Sequence, residues 1–139
     1  MRCPYCNSTQ HSVTNTRASG NSIWRRRKCQ KCLGTFTSME KITLGNLKVI
    51  KKTKKSERFD RNKIYLGIFR AVNESKWISR DQGRIIAKIV TDTVEQELIK
   101  MKKDYVSSKQ IGAIVLRVLK LVSNEGYLRF LPYFKKSTS

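Results

Sequence analysis

Around position 45 the pattern of the chain changes: Gly45-Asn46 marks a turn, and regular apolar periods begin behind it. Leu47 to Lys52 reads as a strand, Thr53 to Ser56 as a polar turn, and Glu57-Arg58-Phe59 as a short return. Asp60 is then a good N-cap, with Phe59 placed to staple onto Ile64, and Ile64, Ile68, Ala71 and Val72 form one helical face. Ser79 with Gln82 makes a capping box for a second helix, whose apolar positions are Ile86, Val90, Val94, Leu98 and Met101. Ser107 with Gln110 makes another, with Val106 stapling to Ile111. The third helix is expected to bury Ile111, Ile114, Val115, Val118, Leu119 and Val122. Tyr127 to Phe134 predicts a short closing helix or turn around Pro132. A β-hairpin followed by about four helices is an α+β unit of roughly 90 residues, enough to bury its own core.

The segment before this unit holds all four cysteines, Cys3, Cys6, Cys29 and Cys32. Two C-x2-C knuckles on the arms of a long hairpin present four sulfurs to one ion, a shell that suits Zn2+. Two disulfides are the rival arrangement. The start Met1-Arg2-Cys3-Pro4 carries no apolar stretch of a secretory signal, however, so a reducing, cytoplasmic setting is expected. A redox centre needs one C-x2-C at a helix start, not two pairs. Four protein ligands leave no open position, so the metal is expected to be structural, one per chain, folding a segment too small to fold alone. His11 is a fifth nearby donor, more in keeping with a surface residue. Pro4 and Gly34 suit the knuckle turns.

Charge narrows the partners. The 139 residues carry 30 Lys+Arg against 10 Asp+Glu, a net +20. No run of 18 apolar residues provides a membrane span. Such a charge attracts a polyanion, nucleic acid first. Residues 1–45 hold eight basic residues and one acidic, net +7. Trp24-Arg25-Arg26-Arg27-Lys28 enters the second knuckle, and Arg17 lies on the preceding arm. A solvated edge strand would also carry charges, but Arg forks suit phosphates and guanine edges, which favours nucleic-acid contact. A second cluster, Lys51, Lys52, Lys54, Lys55, Arg58, Arg61 and Lys63, converges on the later hairpin and a helix N-terminus. Such a set suits phosphate, or else is a solvated basic hairpin. Neither G-x4-G-K-[ST] nor G-x-G-x2-G occurs, which argues against a P-loop hydrolase.

Seven stretches resemble the NrdR family, bacterial repressors of ribonucleotide reductase genes that join a zinc ribbon to an ATP-cone. Met1-Arg2-Cys3-Pro4-Tyr5-Cys6, Arg25-Arg26-Arg27-Lys28-Cys29 and Phe36-Thr37-Ser38-Met39-Glu40 are similar to its ribbon. Val49-Ile50-Lys51-Lys52 with Phe59-Asp60-Arg61-Asn62-Lys63-Ile64, and Ser107-Ser108-Lys109-Gln110-Ile111-Gly112 with Tyr127-Leu128-Arg129-Phe130, are similar to its cone. The resemblance covers nearly the whole chain. It implies zinc on Cys3, Cys6, Cys29 and Cys32, and operator DNA on Arg17, Trp24, Arg25, Arg26, Arg27 and Lys28. It also implies an adenine ring backed by Val49, phosphates on Lys51, Lys52 and Lys63, and Glu57, Asp60 and Ser108 around the same pocket. ATP and dATP would be regulatory ligands, bound and not consumed. Three family positions differ: Asp-Ser-Arg is Asn15-Thr16-Arg17, the Asp-Gly at the cone's hairpin tip is Thr53-Lys54, and the Pro before the helical Phe is Arg58. Without that Gly the hairpin is expected to turn differently. Gly126 and Pro132 are expected to interrupt the last helix.

The chain is thus expected to be α+β, with a zinc-ribbon DNA-binding domain over 1–45 and an ATP-cone over 46–139. It would act as a homo-oligomeric, non-enzymatic repressor on double-stranded operator DNA, away from membranes. Three alternatives stand beside this: a ribbon nucleic-acid binder without nucleotide gating, a nucleotide-handling enzyme (for which one His and no Ser/His/Asp set leave few residues) and a purely structural ribbon.

Overall fold

The computed structural model describes residues 1–138 and divides into two compact units, Met1–Thr43 and Leu44–Ser139.

The first unit is a three-stranded antiparallel sheet in the order β1-β2-β3: β1 (His11–Ser19), β2 (Ser22–Cys29) and β3 (Thr35–Lys41). Gly20, at φ +55°, makes the tight β1–β2 turn. A bulge between Val13 and Asn15 shifts the register, so that Arg17 faces Trp24, Asn15 faces Arg26 and His11 faces Cys29. In this unit Cys3 and Cys29 are the only buried apolar side chains among the described residues. Its strands therefore pack on the cysteine end of the hairpin and not on a hydrocarbon core. The two left-handed residues at the knuckles are Asn7 (φ +66°) and Leu33 (φ +62°), not Pro4 or Gly34. Gly34 is needed for space instead: a Cβ there would lie 2.6 Å from Tyr5 Cδ2, and the Tyr5 hydroxyl donates to the Thr35 carbonyl at 3.0 Å.

The second unit holds a small sheet in the order β5-β4-β6: β4 (Lys48–Ile50), β5 (Ser56–Arg58) and β6 (Tyr105–Ser107). Four helices complete it: α1 (Arg61–Asn73), α2 (Arg80–Met101), α3 (Ser108–Val122) and α4 (Asn124–Thr138). Strand β4 pairs antiparallel with β5 and parallel with β6, and it is shorter than the predicted Leu47–Lys52. Strand β6 has no counterpart among the predicted elements. Three residues with one buried side chain, Val106, show no alternation, and their partner strand lies more than 50 positions earlier.

The predicted caps form. Asp60 accepts from the Asn62 N–H, and Ser79–Gln82 and Ser107–Gln110 make full capping boxes. The core joins Leu47 and Val49 to Ile68, Val72, Val90, Val94, Leu98, Val106, Val115 and Leu119. Thr91 is fully buried on α2 and satisfies its hydroxyl by donating to the Ala87 carbonyl at 2.6 Å. Two expectations are corrected. Val122 is 40% exposed, because α3 ends there and its last turn leaves the core. Residues 124–138 form one helix that runs through Gly126 and Pro132. Pro132 removes an N–H that would bond the Leu128 carbonyl, and it does so on the exposed side, where water can serve that oxygen. Ser123 joins the two helices, ending α3 through its N–H to the Leu119 carbonyl at 2.7 Å and accepting from the Gly126 N–H at 3.1 Å.

The β4–β5 turn carries a left-handed residue that is not a glycine. Lys54 stands at φ +66°, so the left-handed residue that a glycine would supply is kept by a lysine. The Lys54 N–H donates to the Lys51 carbonyl and the Lys51 N–H to the Lys55 carbonyl, both at 2.8 Å. A left-handed non-glycine costs about 1–2 kcal/mol, partly offset by the greater entropy that a glycine loses. Lys54→Gly is expected to stabilise the unit by about 0.5–1 kcal/mol, read as a higher urea midpoint at unchanged slope.

Among the described residues no helix is long and apolar enough to cross a membrane.

Candidate metal centre, basic face and nucleotide cleft

The two knuckles bring Cys3, Cys6, Cys29 and Cys32 together, with all four sulfurs within 4.8 Å of one another. Cys3 and Cys32 are 3.7 Å apart and Cys6 and Cys29 3.5 Å. A tetrahedron of thiolates about 2.3 Å from zinc has edges of about 3.8 Å, so the set fits that ion. The Tyr5 N–H points at the Cys3 sulfur at 3.4 Å, the kind of backbone donor that a metal-bound thiolate uses. The Cys32 N–H, helped by that of Lys31, holds the Cys29 thiol down to about 6 against the cost of burial. At Cys32 the Gly34 N–H pulls the thiol down, but burial and the other three thiols outweigh it and push it up to about 11. A dication at the centre favours four thiolates. His11 stands outside the set: its Nε2 is 3.1 Å from the Met1 carbonyl, its Nδ1 3.4 Å from Arg27, and its ring packs edge-on against Phe36.

Strand geometry divides the basic run that the sequence presents as one block. Successive residues of β2 point to opposite faces, so Trp24, Arg26 and Lys28 share one face and Arg25 and Arg27 the other. The first face is exposed and includes Arg17, directly across from Trp24. The other two arginines are half-buried and engaged. Arg25 Nε is 3.1 Å from Glu40 Oε1, close enough for an ion pair but not aligned for a hydrogen bond. Arg27 donates from Nε to the Ser38 hydroxyl at 2.8 Å. The pleat therefore turns Arg25 and Arg27 away from the surface formed by the other four.

In the second unit, β4, β5 and the starts of α1 and α3 enclose a cleft of about 170 Å3. Val49, Phe59, Ile64 and Ile111 give it an apolar lining, and Glu57, Arg58, Asp60, Lys63 and Ser108 a polar one. Five predicted residues, Val49, Glu57, Asp60, Lys63 and Ser108, thus meet there. Lys51 reaches the same edge through Glu57, which ion-pairs with Lys63 at 3.0 Å and with Lys51 at 3.2 Å. Lys52 is exposed and does not line the cleft. Arg61 turns to α2, where it binds Asp92 at 2.8 Å and Glu95, so it leaves the cationic cluster. Phe59, Ile64 and Ile111 carried only a packing signal in the sequence; their apolar spacing does not distinguish the wall of a cleft from a core.

Electrostatics at the rim follow from these pairs. Lys63 first, then Lys51, hold the Glu57 carboxyl below the usual carboxylate range. A depressed carboxyl stabilises the fold above its unfolded pKa, so this contribution is in place at neutral pH and fades as pH falls through the folded value. The like charges of the hairpin therefore do have an anion among them.

The chain thus pairs a ribbon that carries a four-thiolate metal site and a basic face with an α+β unit that carries a cation-rimmed cleft. Residues 1–40 match the family described as "Transcriptional repressor NrdR-like, N-terminal domain", and residues 47–135 match the ATP cone domain. Proteins named "Transcriptional repressor NrdR" align over nearly the whole chain. The one from Caldicellulosiruptor saccharolyticus is 38% identical over 138 residues, 98% of this chain and 87% of its own. Those from Kosmotoga olearia (36%; 98% and 84%) and Finegoldia magna (34%; 99% and 90%) are similar. The chain belongs to the NrdR family. Its relatives are named as repressors and not as enzymes.

Proposed function

We propose that this chain represses ribonucleotide reductase genes by binding double-stranded operator DNA through its ribbon, under control of an adenine nucleotide held in the cone. The observation that carries this is the cleft: an apolar floor at Val49 and Ile111 under a rim of lysines paired with Glu57. An apolar floor suits a base and a lysine rim suits phosphates. At about 170 Å3 the cleft is smaller than the ~300–1,000 Å3 of ordinary ligand pockets. It accommodates the base, while sugar and phosphates lie over the open side toward Lys63, Lys51 and Lys52. The phosphates compete with the Glu57 carboxylate for the two ammoniums. Asp60 caps α1, Lys63 on that helix's first turn is held by Glu57, and Ser108 lines the cleft from the start of α3. ATP and dATP are bound and released unchanged.

On the ribbon, Arg17, Arg26 and Lys28 contact phosphates or base edges and Trp24 packs on the backbone or a base, with Arg25 and Arg27 bracing the sheet from behind. One ribbon of this size binds weakly. Two in a homo-oligomer gain affinity through effective concentration when their spacing matches two half-sites. The nucleotide acts by binding one assembly more tightly than the other, with repression when deoxynucleotide is plentiful. The setting is the cytoplasm, where thiols stay reduced and available to zinc.

At fixed salt, operator DNA is expected to bind more tightly with dATP than with ATP, with a change in assembly mass. Equal affinity at equal mass overturns the switch and leaves an ungated ribbon binder. Lys63→Ala is expected to weaken nucleotide binding by roughly tenfold, about the loss of one charge-assisted hydrogen bond, in calorimetry on the full chain.

A further inference from the structure

The first turn of α1 carries two cations that go separate ways. Lys63 lines the cleft, whereas Arg61, two residues earlier and so near the opposite side of the helix, reaches α2. There its guanidinium forks across two carboxylates, Asp92 at 2.8 Å and Glu95. That stretch of α2 is a firm anchor, since Val90, Thr91 and Val94 are fully buried. The Arg61 and Glu95 side chains are 29% and 12% exposed, against 61% for Lys63, so the tie to α2 is the less screened of the two.

This turn needs a hold. It contains no acidic residue, and both cations stand at the positive end of the helix dipole, with the Asp60 cap to set against them. Two ion-pair ties keep it in place among the described residues: Lys63 to Glu57 of β5 at 3.0 Å, and Arg61 to α2. When phosphates compete with Glu57 for Lys63, the first tie loosens and only the second stays. We infer that Arg61 is a positioning residue of the nucleotide cleft: its fork to Asp92 and Glu95 holds the first turn of α1, and so keeps Lys63 in place for the phosphates once Glu57 lets go. The inference rests on the reading of the cleft as the nucleotide site and adds a residue that does not line it. Arg61 acts through Lys63 and touches no ligand.

Calorimetry with ATP on the full chain tests this, with the helical dichroism signal and the thermal midpoint as folding controls. Arg61→Ala is expected to weaken ATP binding about threefold to tenfold. Arg61→Lys, which keeps the charge but cannot fork across two carboxylates, is expected to fall between Ala and the parent. Asp92→Asn combined with Glu95→Gln is expected to weaken ATP as well. This pair separates a tether from charge alone, because removing two negative charges would otherwise draw the phosphates in. In a Lys63→Ala background, Arg61→Ala is expected to cost little more, since its effect passes through Lys63. Unchanged affinity in Arg61→Ala, tighter binding by the carboxylate variant, or an equal loss from Arg61→Ala with and without Lys63 overturns the inference and leaves the cleft as the nucleotide site. A parent chain that binds neither ATP nor dATP overturns both.

Discussion

Stripping the metal with a chelator is expected to unfold residues 1–43 while the helices of residues 44–139 persist. The ribbon's buried apolar content is two cysteines, Cys3 and Cys29, whereas the second unit closes a core of aliphatic side chains across its sheet and helices. Without an ion, 43 residues have almost no hydrocarbon to set against chain entropy. Structural zinc in such small domains contributes on the order of 10–16 kcal/mol of apparent binding energy, all of it folding energy. Cys29→Ser is expected to reproduce the effect, because Cys29 is fully buried and ends β2 at the metal. Circular dichroism should show the helical signal retained, and limited proteolysis should cut the ribbon alone. Acid should act in the same direction. The metal-free thiols hold protons that the zinc-bound form does not, so affinity falls as pH falls, read as zinc release to an indicator dye. A chelated protein whose ribbon remains protease-resistant would contradict this.

The second large effect concerns the face of the ribbon. Replacing Arg17, Arg26 and Lys28 together by Ala is expected to weaken DNA binding by on the order of a hundredfold or more. It should also flatten the dependence of log K on log salt by about 3, near 0.9 for each phosphate that is no longer neutralised. Arg25→Ala is expected to leave that slope nearly unchanged, because Arg25 sits on the opposite side of the sheet beside Glu40. Its cost is expected in the stability of the hairpin, and as a half-exposed ion pair that cost is small. Equal loss of slope from both variants would mean that the DNA approaches the sheet edge and not one face. The variants keep the four cysteines, so zinc content is the control for folding.

The helices of the second unit were legible because their signals are local. Caps at Asp60, Ser79 and Ser107 and apolar residues three and four apart lie within one turn of each other. The paired C-x2-C knuckles were legible for a related reason: thiolates have few other uses in fours, and the knuckle spacing itself shapes the ligand pair. Strand β6 was not legible, since a single buried valine has no period and its pairing with β4 is made across the fold. The last helix was undervalued because Pro132 reads as a breaker, yet on an exposed face the bond it removes falls to water. The left-handed Lys54 of the β4–β5 turn has no local signal either, since the paired strands hold it in that region despite its cost.

By itself, then, the sequence determined the metal set, the chain order of a small β unit before an α+β unit, and the sign of the partner's charge. Each of these depends on residue type and short spacing. The tertiary structure decided which cations act together: pleating split one basic run between two faces, Glu57 gathered Lys51 and Lys63 at a cleft, and Asp92 with Glu95 drew Arg61 away from it. The physical reason is that charge in a sequence is a sum, whereas a binding site needs direction. Direction is set by backbone alternation and by contacts between residues far apart in the chain.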